Sequence, residues 1–287
     1  MALPITLNTN DPMTLIRLGR AVFTAVVGVP VVVAPVVTAL VVVALVVVAP
    51  AVVAALGGEL FVKKASTTYH ASATLGDVLD VGIRCVRQGN SSVQFEAGIF
   101  RGMELLNTVE LVYVFADAAT QTPQPLPQAM RDVLTAFEAG QEVVSLRSGS
   151  WNDLGREAER LRMAVFVKEQ GVPREIEIDE FDPVARHAVV YNGLGQPIAT
   201  GRLVSDSPGA GRIGRMAVDR SVRGGRWGRM VLESLMDAAR DRGDKEIVLH
   251  AQRHAEAFYL RAGFTPVGEP YEEAGIPHIT MRKVLTA

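Results

Sequence analysis

The chain has 287 residues, and its 29 lysines and arginines against 31 aspartates and glutamates give a formal net charge of -2 at pH 7. This length gives room for two domains that each bury a core. The balanced charge gives no argument for a nucleic-acid partner. The single cysteine excludes an intramolecular disulfide and a cysteine-cluster metal site, and it favours a reducing, cytoplasmic compartment.

Residues 21–56 form an unusual segment without any charged residue, composed almost entirely of valine and alanine with three interrupting prolines. The segment is long enough to cross a bilayer, and Arg17 and Arg20 before it with Lys63 and Lys64 after it could flank a span. However, proline breaks helix interiors and β-branched runs favour strands. A membrane segment is therefore an alternative that the sequence does not favour.

Alternating and apolar runs between residues 59 and 117 predict a curved antiparallel sheet, because turn signals such as Gly89-Asn90 separate them. Cys85 lies within one of these runs, which indicates a buried structural thiol and not a nucleophile. The predicted strands cover 60–64, 66–70, 78–86, 92–100 and 105–116.

Three stretches of this region carry a family resemblance: YHASATLGD at 69–77, GNSSV at 89–93, and 112–117 followed by Pro-Leu-Pro at 125–127. Together they resemble the second half of a hotdog-fold acyl-CoA thioesterase. The resemblance implies an antiparallel sheet around a long helix, a domain that binds or hydrolyses acyl-CoA, and a homo-oligomer formed through the sheets. In that family an acidic residue near the helix attacks the thioester or activates water. Here the valine-alanine segment takes the place of the helix, and Asp11 is the only acidic residue before it.

A domain boundary is expected near residue 140. Residues 128–139 read as a short helix, and residues 140–150 as a linker. The predicted domains are therefore 1–140 and 141–287. The apolar side of the short helix consists of Met130, Val133, Leu134 and Phe137.

The second domain alternates strand and helix patterns. A helix is predicted from an N-cap at Asn152 or Asp153 to just before Gly171, and Asn192-Gly193 marks a hairpin. A sheet with helices on its faces is the economical arrangement of these elements. The other predicted strands are 143–146, 187–191, 198–204, 246–251 and 279–283, and a last helix covers 255–262.

The stretch 212–229 reads as a buried strand, a loop and the start of a helix in immediate succession. The loop contains glycines, which let backbone N–H groups approach a ligand, and a helix N-terminus adds unpaired donors and partial positive charge. Such a loop favours a phosphate or pyrophosphate, although a solvated arginine-rich turn is the alternative. Its glycines are Gly224, Gly225 and Gly228, and its arginines are Arg220, Arg223 and Arg226.

The order of strand, arginine-glycine loop, helix, strand and a helix ending in RAGF at 261–264 resembles the GNAT superfamily of acyl-CoA-dependent N-acetyltransferases. VFVKEQGVP at 165–173, HAQ at 250–252 and GIPH at 275–278 add to it. The resemblance covers about 143–285. The fold class it implies, with the first half, is two-domain α+β: a hotdog-like antiparallel sheet around a helix, then a GNAT mixed α/β sheet.

The family's R-x-x-G-x-G loop falls on residues 223–228, with Arg226 at the place of the middle glycine. The resemblance implies acetyl-CoA or CoA as cosubstrate. Its pantetheine amides would pair with the backbone of Met216 and Val218. Its pyrophosphate would bind Arg223, Gly224, Gly225, Arg226, Gly228 and Arg229.

Tyr259 corresponds to the family's tyrosine that protonates the departing CoA thiolate, and a core aromatic is the alternative. A base is needed if the acceptor arrives as an ammonium ion. The sequence leaves the base open among Glu169, Glu180, Asp182, His187, His250 and His278. The five histidines show no zinc-binding helical spacing, so no metal is predicted.

The predicted function is transfer of an acyl group, most simply acetyl, from CoA to a small-molecule or peptide amine. The fused first domain would bind or hydrolyse acyl-CoA. A non-catalytic acyl-CoA-binding protein or membrane-associated scaffold is the alternative.

Overall fold

The structure, a computed structural model, describes residues 16–22, 56–74, 77–223 and 225–285. Four predictions fall wholly or largely outside these residues: the long helix of the first domain, the candidate membrane segment at 21–56, Asp11, and Gly224 of the predicted phosphate loop. Within the described residues, no helix is both long and apolar enough to cross a bilayer. Tertiary contacts divide the chain into two compact units, and the boundary in the sequence lies between Val143 and Val144.

The first unit contains the predicted antiparallel sheet. It has five strands in the order β1-β3-β4-β5-β2, and every neighbouring pair is antiparallel. The strands are β1 (Ile16–Val22), β2 (Glu59–Tyr69), β3 (Val78–Gln88), β4 (Ser92–Arg101) and β5 (Glu104–Ala116).

One face of this sheet forms the core of the unit, because apolar side chains alternate along β3, β4 and β5. Helix α1 (Gln128–Glu138) packs on that core through Met130, Leu134 and Phe137. Val133 is also buried, so all four residues predicted for the apolar side of this helix are confirmed.

Two strand predictions for this unit are corrected. The stretches 60–64 and 66–70 are one strand, β2, with a bulge between Val62 and Lys64 where the register with β5 shifts. The bulge keeps a single strand in the sheet although the alternation of its side chains is interrupted. Strand β1 was not predicted, and it places Arg17 and Arg20 opposite Gly82 and Asp80 of β3.

The second unit is a mixed sheet with helices on its faces, as predicted. Seven strands lie in the order β11-β12-β10-β9-β8-β7-β6, and only β9 and β10 are parallel neighbours. The strands are β6 (Val144–Gly149), β7 (Arg186–Asn192), β8 (Pro197–Ser207), β9 (Ala210–Val218), β10 (Glu246–Gln252), β11 (Thr265–Glu273) and β12 (Ile276–Val284). The helices are α2 (Trp151–Arg162), α3 (Arg174–Glu177), α4 (Trp227–Arg242) and α5 (Glu256–Arg261).

Helix α2 begins earlier than predicted. Its N-cap is Ser150, and the carboxylate of Asp153 accepts hydrogen bonds from the backbone N–H and the hydroxyl of Ser150 at 3.0 and 2.7 Å. Asp153 is therefore the third helical residue of a capping box and not the N-cap. The helix continues as a π-helix over Met163–Glu169, which no sequence pattern had indicated.

Strand β11 was not predicted. Pro266, Gly268 and Pro270 are poor strand residues, and they interrupt the pattern that would indicate a strand. The strand lies at the edge of the sheet, where a missing N–H donor costs nothing on the solvent side. With β12 it forms a hairpin whose register shifts between Val267 and Tyr271.

Candidate functional site

The parallel strands β9 and β10 separate from each other soon after they begin. They pair at Ala210, Gly211 and Arg212 of β9, opposite the stretch of β10 that ends at Val248. Strand β9 nevertheless continues to Val218. Beyond Arg212, none of the described strands pairs with the edge of β9 that faces β10, and the sheet opens there.

A bulge lies in β9 beside this opening. Arg215 has a φ of 54°, and the register with β8 shifts between the pairs formed by Thr200 and Arg202. The side chain of Met216 points away from the opening, because a Cβ on Gly201 of β8 would lie 2.5 Å from its sulfur. Met216 can therefore offer its backbone to a ligand in the opening, but not its side chain.

The N-terminus of α4 lies against the end of β9. Gly228, in the first turn, permits the approach, because a Cβ there would stand 3.3 Å from Cγ2 of Val218. The sequence analysis assigned Gly228 to the loop, whereas the helix already begins at Trp227. The N-cap Arg226 makes no side-chain capping hydrogen bond. The first N–H groups of α4 are therefore available to an anion beside the opening.

Gly225 has a packing role in the loop. A Cβ there would lie 2.4 Å from Nε1 of Trp227, so only glycine leaves space for the indole ring. The Nε1 atom of Trp227 is buried, and no described residue accepts a hydrogen bond from it.

The three predicted arginines of this region differ in their partners. Arg223 binds both carboxylate oxygens of Glu169, at 2.5 and 2.8 Å, and its Nε donates to the carbonyl of Val218 at 3.1 Å. Arg229 points along α4 to Glu233 at 2.7 Å, and its side chain is largely exposed. Arg226 is exposed and forms no ion pair with any residue in the described part of the chain.

A cavity of about 430 Å³ lies next to the Arg223–Glu169 pair. It separates the π-helical end of α2 from the chain that follows β9. Its lining is amphipathic, with Ala164, Val165, Lys168 and Glu169 on one side and Asp219 and Arg220 on the other.

Tyr259 lies in α5, directly after β10, and is only 8% exposed. Its ring contacts Phe258 edge-on at 4.9 Å and Phe264 at 5.9 Å between centroids. Burial raises the pKa of its hydroxyl above the usual 10. Tyr259 is therefore a core aromatic that also keeps its proton at neutral pH.

Comparison with known proteins identifies the family of this arrangement. Residues 153–285 match the model of the acetyltransferase (GNAT) domain, and residues 38–106 match that of the thioesterase superfamily. The uncharacterized N-acetyltransferase YjcF of Bacillus subtilis is 39% identical over 129 residues, which are 45% of this chain and 91% of that protein. The chain belongs to the GNAT acetyltransferase family. The predicted GNAT half and thioesterase-like half are both confirmed.

Two further relatives each cover a little under half of the chain. The protein ElaA of Escherichia coli is 36% identical over 133 residues, 45% of this chain and 86% of ElaA. The crystal structure of an acyl-CoA N-acyltransferase from Pseudomonas aeruginosa shares 34% identity, covers 49% of this chain and 99% of that one, and superposes with a TM-score of 0.45.

Within this GNAT domain, a network of six buried or half-buried charges fixes the segment between α2 and β7. Arg162 of α2 binds Glu177 and Asp182, each at 2.6 Å, while Arg202 of β8 binds Asp182 at 2.7 Å and Asp179 at 2.6 Å. The sixth member, Arg215 at the bulge of β9, approaches Asp179 at 3.1 Å and Glu177 at 3.4 Å. The network therefore holds this segment beside the opening of the sheet.

Several candidates for the general base in the GNAT domain are buried or paired with arginines, and they are therefore poor proton acceptors. Asp182 is fully buried between two arginines, and Nε2–H of His187 donates a hydrogen bond to the carbonyl oxygen of Asp182 while the His187 ring contacts Trp151. Both are structural. Glu169 is paired with Arg223, which lowers the pKa of its carboxyl and makes it a weak base. Glu180 is exposed on the loop.

The remaining candidates of the GNAT domain, His250 and His278, lie close together with a tyrosine that the sequence analysis did not single out. Tyr271 contacts both histidine rings, with centroid distances of 6.0 Å to each. A predicted strand at β11 would have pointed to Tyr271, because pairing of β11 with β12 places Tyr271 opposite His278. Among the described residues, no group of three or more histidine, cysteine, aspartate or glutamate side chains could hold a metal ion.

Proposed function

We propose that the GNAT domain transfers an acyl group, most simply acetyl, from CoA to the amine of a small molecule or peptide. The observation that carries this proposal is the opening between β9 and β10, which lies directly beside the uncapped N-terminus of α4. The unpaired edge of β9 offers hydrogen bonds to an extended chain, as an edge strand does to a peptide. The helix N-terminus suits the negatively charged group at the end of that chain.

CoA matches both parts of this site. Its pantetheine arm is extended and carries amides, which would pair with the backbone of β9 around Met216 and Val218. Its pyrophosphate would bind the backbone N–H groups in the first turn of α4, including that of Gly228, and the loop formed by Gly224, Gly225 and Arg226. Arg223 would join these donors once it leaves Glu169, and Arg229 would join them once it leaves Glu233. Arginine is suited to this task because its guanidinium binds phosphate through two parallel hydrogen bonds.

Tyr259 supplies the proton that the leaving group requires in this proposal. The attack of an amine on the thioester carbon breaks the C–S bond and leaves a thiolate. A phenol that stays protonated can donate its proton to that thiolate. Burial favours this protonated state of Tyr259.

The binding of acetyl-CoA tests this assignment. Replacing Arg223 and Arg226 together by alanine removes two charge-assisted contacts, each of about 1.5–3 kcal/mol. We expect acetyl-CoA to bind at least tenfold more weakly in calorimetry, with a smaller ligand-induced rise in melting temperature. Arg240→Ala is the matched control, because Arg240 lies near the far end of α4 and, among the described residues, its one ion pair is with Asp237 on the surface. If the double variant bound acetyl-CoA with unchanged affinity, the assignment of this loop to the pyrophosphate would be wrong.

For the first unit we propose that it binds acyl-CoA, and that any hydrolysis of the thioester takes place there. The match of residues 38–106 to the thioesterase superfamily supports this proposal. The full chain carrying the Arg223→Ala and Arg226→Ala changes separates the two activities. Residual hydrolysis of acetyl- or longer acyl-CoAs by this variant would assign a thioesterase to the first unit. Absence of hydrolysis would leave it a binding module.

We also propose that the chain forms a homo-oligomer through its first unit. Strand β2 is a long edge strand whose residues are almost all exposed, including Val62 and Tyr69, each 59% exposed. Such an edge is a template for pairing with a second strand. Light scattering at micromolar concentration checks this proposal, and a monomer would contradict it.

The competing function is a non-catalytic acyl-CoA-binding protein or scaffold. Such a protein would bind acetyl-CoA but would acetylate no amine. The single cysteine and the use of CoA favour a cytoplasmic enzyme. A panel of primary amines, namely spermidine, tyramine and a lysine-containing peptide, with detection of released CoA, distinguishes the two functions.

A further inference from the structure

Two histidines and a tyrosine from three neighbouring strands form a cluster on one face of the second sheet. The hydroxyl of Tyr271 on β11 lies 2.5 Å from Nδ1 of His250 on β10. The hydroxyl of Thr280 on β12 approaches the same nitrogen at 3.4 Å. His278, also on β12, stacks on Tyr271 at an interplanar angle of 22°, and its Nδ1 lies 2.7 Å from the carbonyl of Ile276.

The cluster borders the opening of the sheet. His250 follows Val248, the last residue of β10 that pairs with β9. Its side chain shares a face of β10 with Gln252, because Leu249 and Ala251, the two neighbours of His250 in the strand, are buried on the other face. Gln252 in turn exchanges amide hydrogen bonds of 2.9 and 3.3 Å with Gln170, which follows the π-helical end of α2.

This placement separates the two substrates of the proposed reaction. The phosphate loop and α4 would hold CoA at the end of β9. His250 stands on β10, on the side of the α2 terminus and of the β11–β12 hairpin, where a second substrate can reach the opening.

We propose that His250 is the base that takes a proton from the acceptor amine, and that Tyr271 is the residue that positions its imidazole ring. This inference rests on the proposed acyltransfer, and it names the residue that acts as the base in that reaction. In this arrangement Nδ1–H donates to the hydroxyl oxygen of Tyr271. The lone pair of Nε2 then remains for the incoming ammonium ion, since both hydrogen bonds of His250 within the described residues are made by Nδ1.

The surroundings of His250 keep the ring neutral. Its partial burial lowers the pKa below the ordinary value of 6.5. The charges of Arg212 on β9 and of His278 lower it further, whereas Glu273 on β11 and Asp206 on β8 act in the opposite direction. The net shift is downward, so the imidazole is a free base at neutral pH.

The protons of the reaction balance with this assignment. An ammonium ion loses two protons as it becomes an amide. One passes to Nε2 of His250 before the nitrogen attacks the thioester carbon, and from there to solvent. The second leaves the nitrogen as the tetrahedral intermediate collapses and goes to solvent, while the C–S bond breaks and the thiolate takes the proton of Tyr259. Solvent then reprotonates Tyr259.

The tautomer of His250 tests the proposal without any acceptor. Long-range ¹H–¹⁵N correlation spectra of the full chain, labelled at histidine, distinguish a protonated Nδ1 from a protonated Nε2. We expect a protonated Nδ1 at pH 7.5, a pKa below 6.5, and a mixture of the two tautomers in Tyr271→Phe. A protonated Nε2 in the wild-type protein would overturn the proposal.

Kinetics provide the second test, with an amine that gives turnover in the acceptor panel. His250→Gln should lower kcat about 100-fold, leave the KM for acetyl-CoA unchanged and abolish the acidic limb of the pH profile. Tyr271→Phe should shift this limb while it retains more of kcat. His254→Gln, on the exposed turn after β10, is the matched control and should behave as wild type. An unchanged pH profile in His250→Gln would refute the role. Absence of turnover with every amine would contradict the proposed function instead, and the tautomer would still decide the role of His250.

Discussion

Arg223 and Glu169 form a bidentate ion pair, Nη1 to Oε1 at 2.5 Å and Nη2 to Oε2 at 2.8 Å, which joins the loop after β9 to the π-helical end of α2. The carboxylate occupies the donors that a phosphate group would use. Glu169 therefore competes with the proposed ligand of Arg223. The pair is partly exposed, so its net contribution is small and a ligand can displace it.

The first prediction concerns this competition. Glu169→Gln removes the negative charge but keeps the shape of the side chain. Since partly exposed pairs contribute about 0.2–1 kcal/mol, we expect acetyl-CoA to bind up to about fivefold more tightly in calorimetry. Asp237→Asn, which frees Arg240 on the far part of α4, is the control and should leave affinity unchanged. Weaker binding by Glu169→Gln would mean that Glu169 orients Arg223 for the ligand.

The second prediction tests the proton donor. Tyr259→Phe keeps the ring contacts with Phe258 and Phe264 and removes only the hydroxyl. Turnover should fall by at least about 100-fold, while calorimetry should give the wild-type affinity for acetyl-CoA. Tyr191→Phe makes the same chemical change in the buried cluster beneath α2 and should not alter turnover. Full activity of Tyr259→Phe would leave Tyr259 a core aromatic only.

The third prediction concerns the buried charge network. Asp182→Asn leaves Arg162 and Arg202 without a charged partner at this position, so the free energy of unfolding in urea should fall by about 3 kcal/mol. Asp237→Asn, an exposed change, should alter it by less than about 0.5 kcal/mol. An equal effect of the two changes would argue against a stabilising network.

The same network predicts a pH dependence of stability. Burial alone would raise the pKa of Asp182, but the guanidinium groups of Arg162 and Arg202 outweigh it and lower the pKa to about 2. An unfolded aspartate titrates near 3.9, so this contribution is fully present above about pH 4 and is lost as the pH falls towards 2. Glu177 acts in the opposite direction, because burial raises its pKa. The difference in unfolding free energy between wild type and Asp182→Asn isolates Asp182 and should shrink over this range.

The fourth prediction concerns Cys85. Burial and the nearby charge of Glu138 raise the pKa of its thiol to about 12. Because the thiolate is the reactive form, native protein at pH 8 should not react with a disulfide reagent such as Ellman's reagent. The unfolded chain should release one equivalent, since the sequence has one cysteine. Rapid reaction of the native protein would show that the thiol is accessible.

Much of the site could be predicted because its signals are local in sequence. The glycines and arginines of the loop, the helix pattern after it and the Phe258-Tyr259 pair lie within short stretches, and the structure places them on a strand end, a helix start and a following helix. The roles assigned to them remain predictions. The proposed base could not be chosen from six candidates, because burial and pairing decide which carboxylate or imidazole is free.

The sequence by itself determined the two units, most of their strands, the buried face of α1 and the family, since periodicity, turn residues and short motifs are properties of neighbouring residues. The tertiary structure alone decided which side chains meet over long separations. It paired Glu169 with Arg223, gathered three arginines and three carboxylates, Asp182 among them, into one network, and brought Tyr271 of an unpredicted edge strand to His250. The physical reason is that strand register and helix packing, not sequence spacing, set these distances. The glycine-arginine loop can therefore be recognised from neighbouring residues, whereas the cluster of His250, Tyr271 and His278 exists only in the folded sheet.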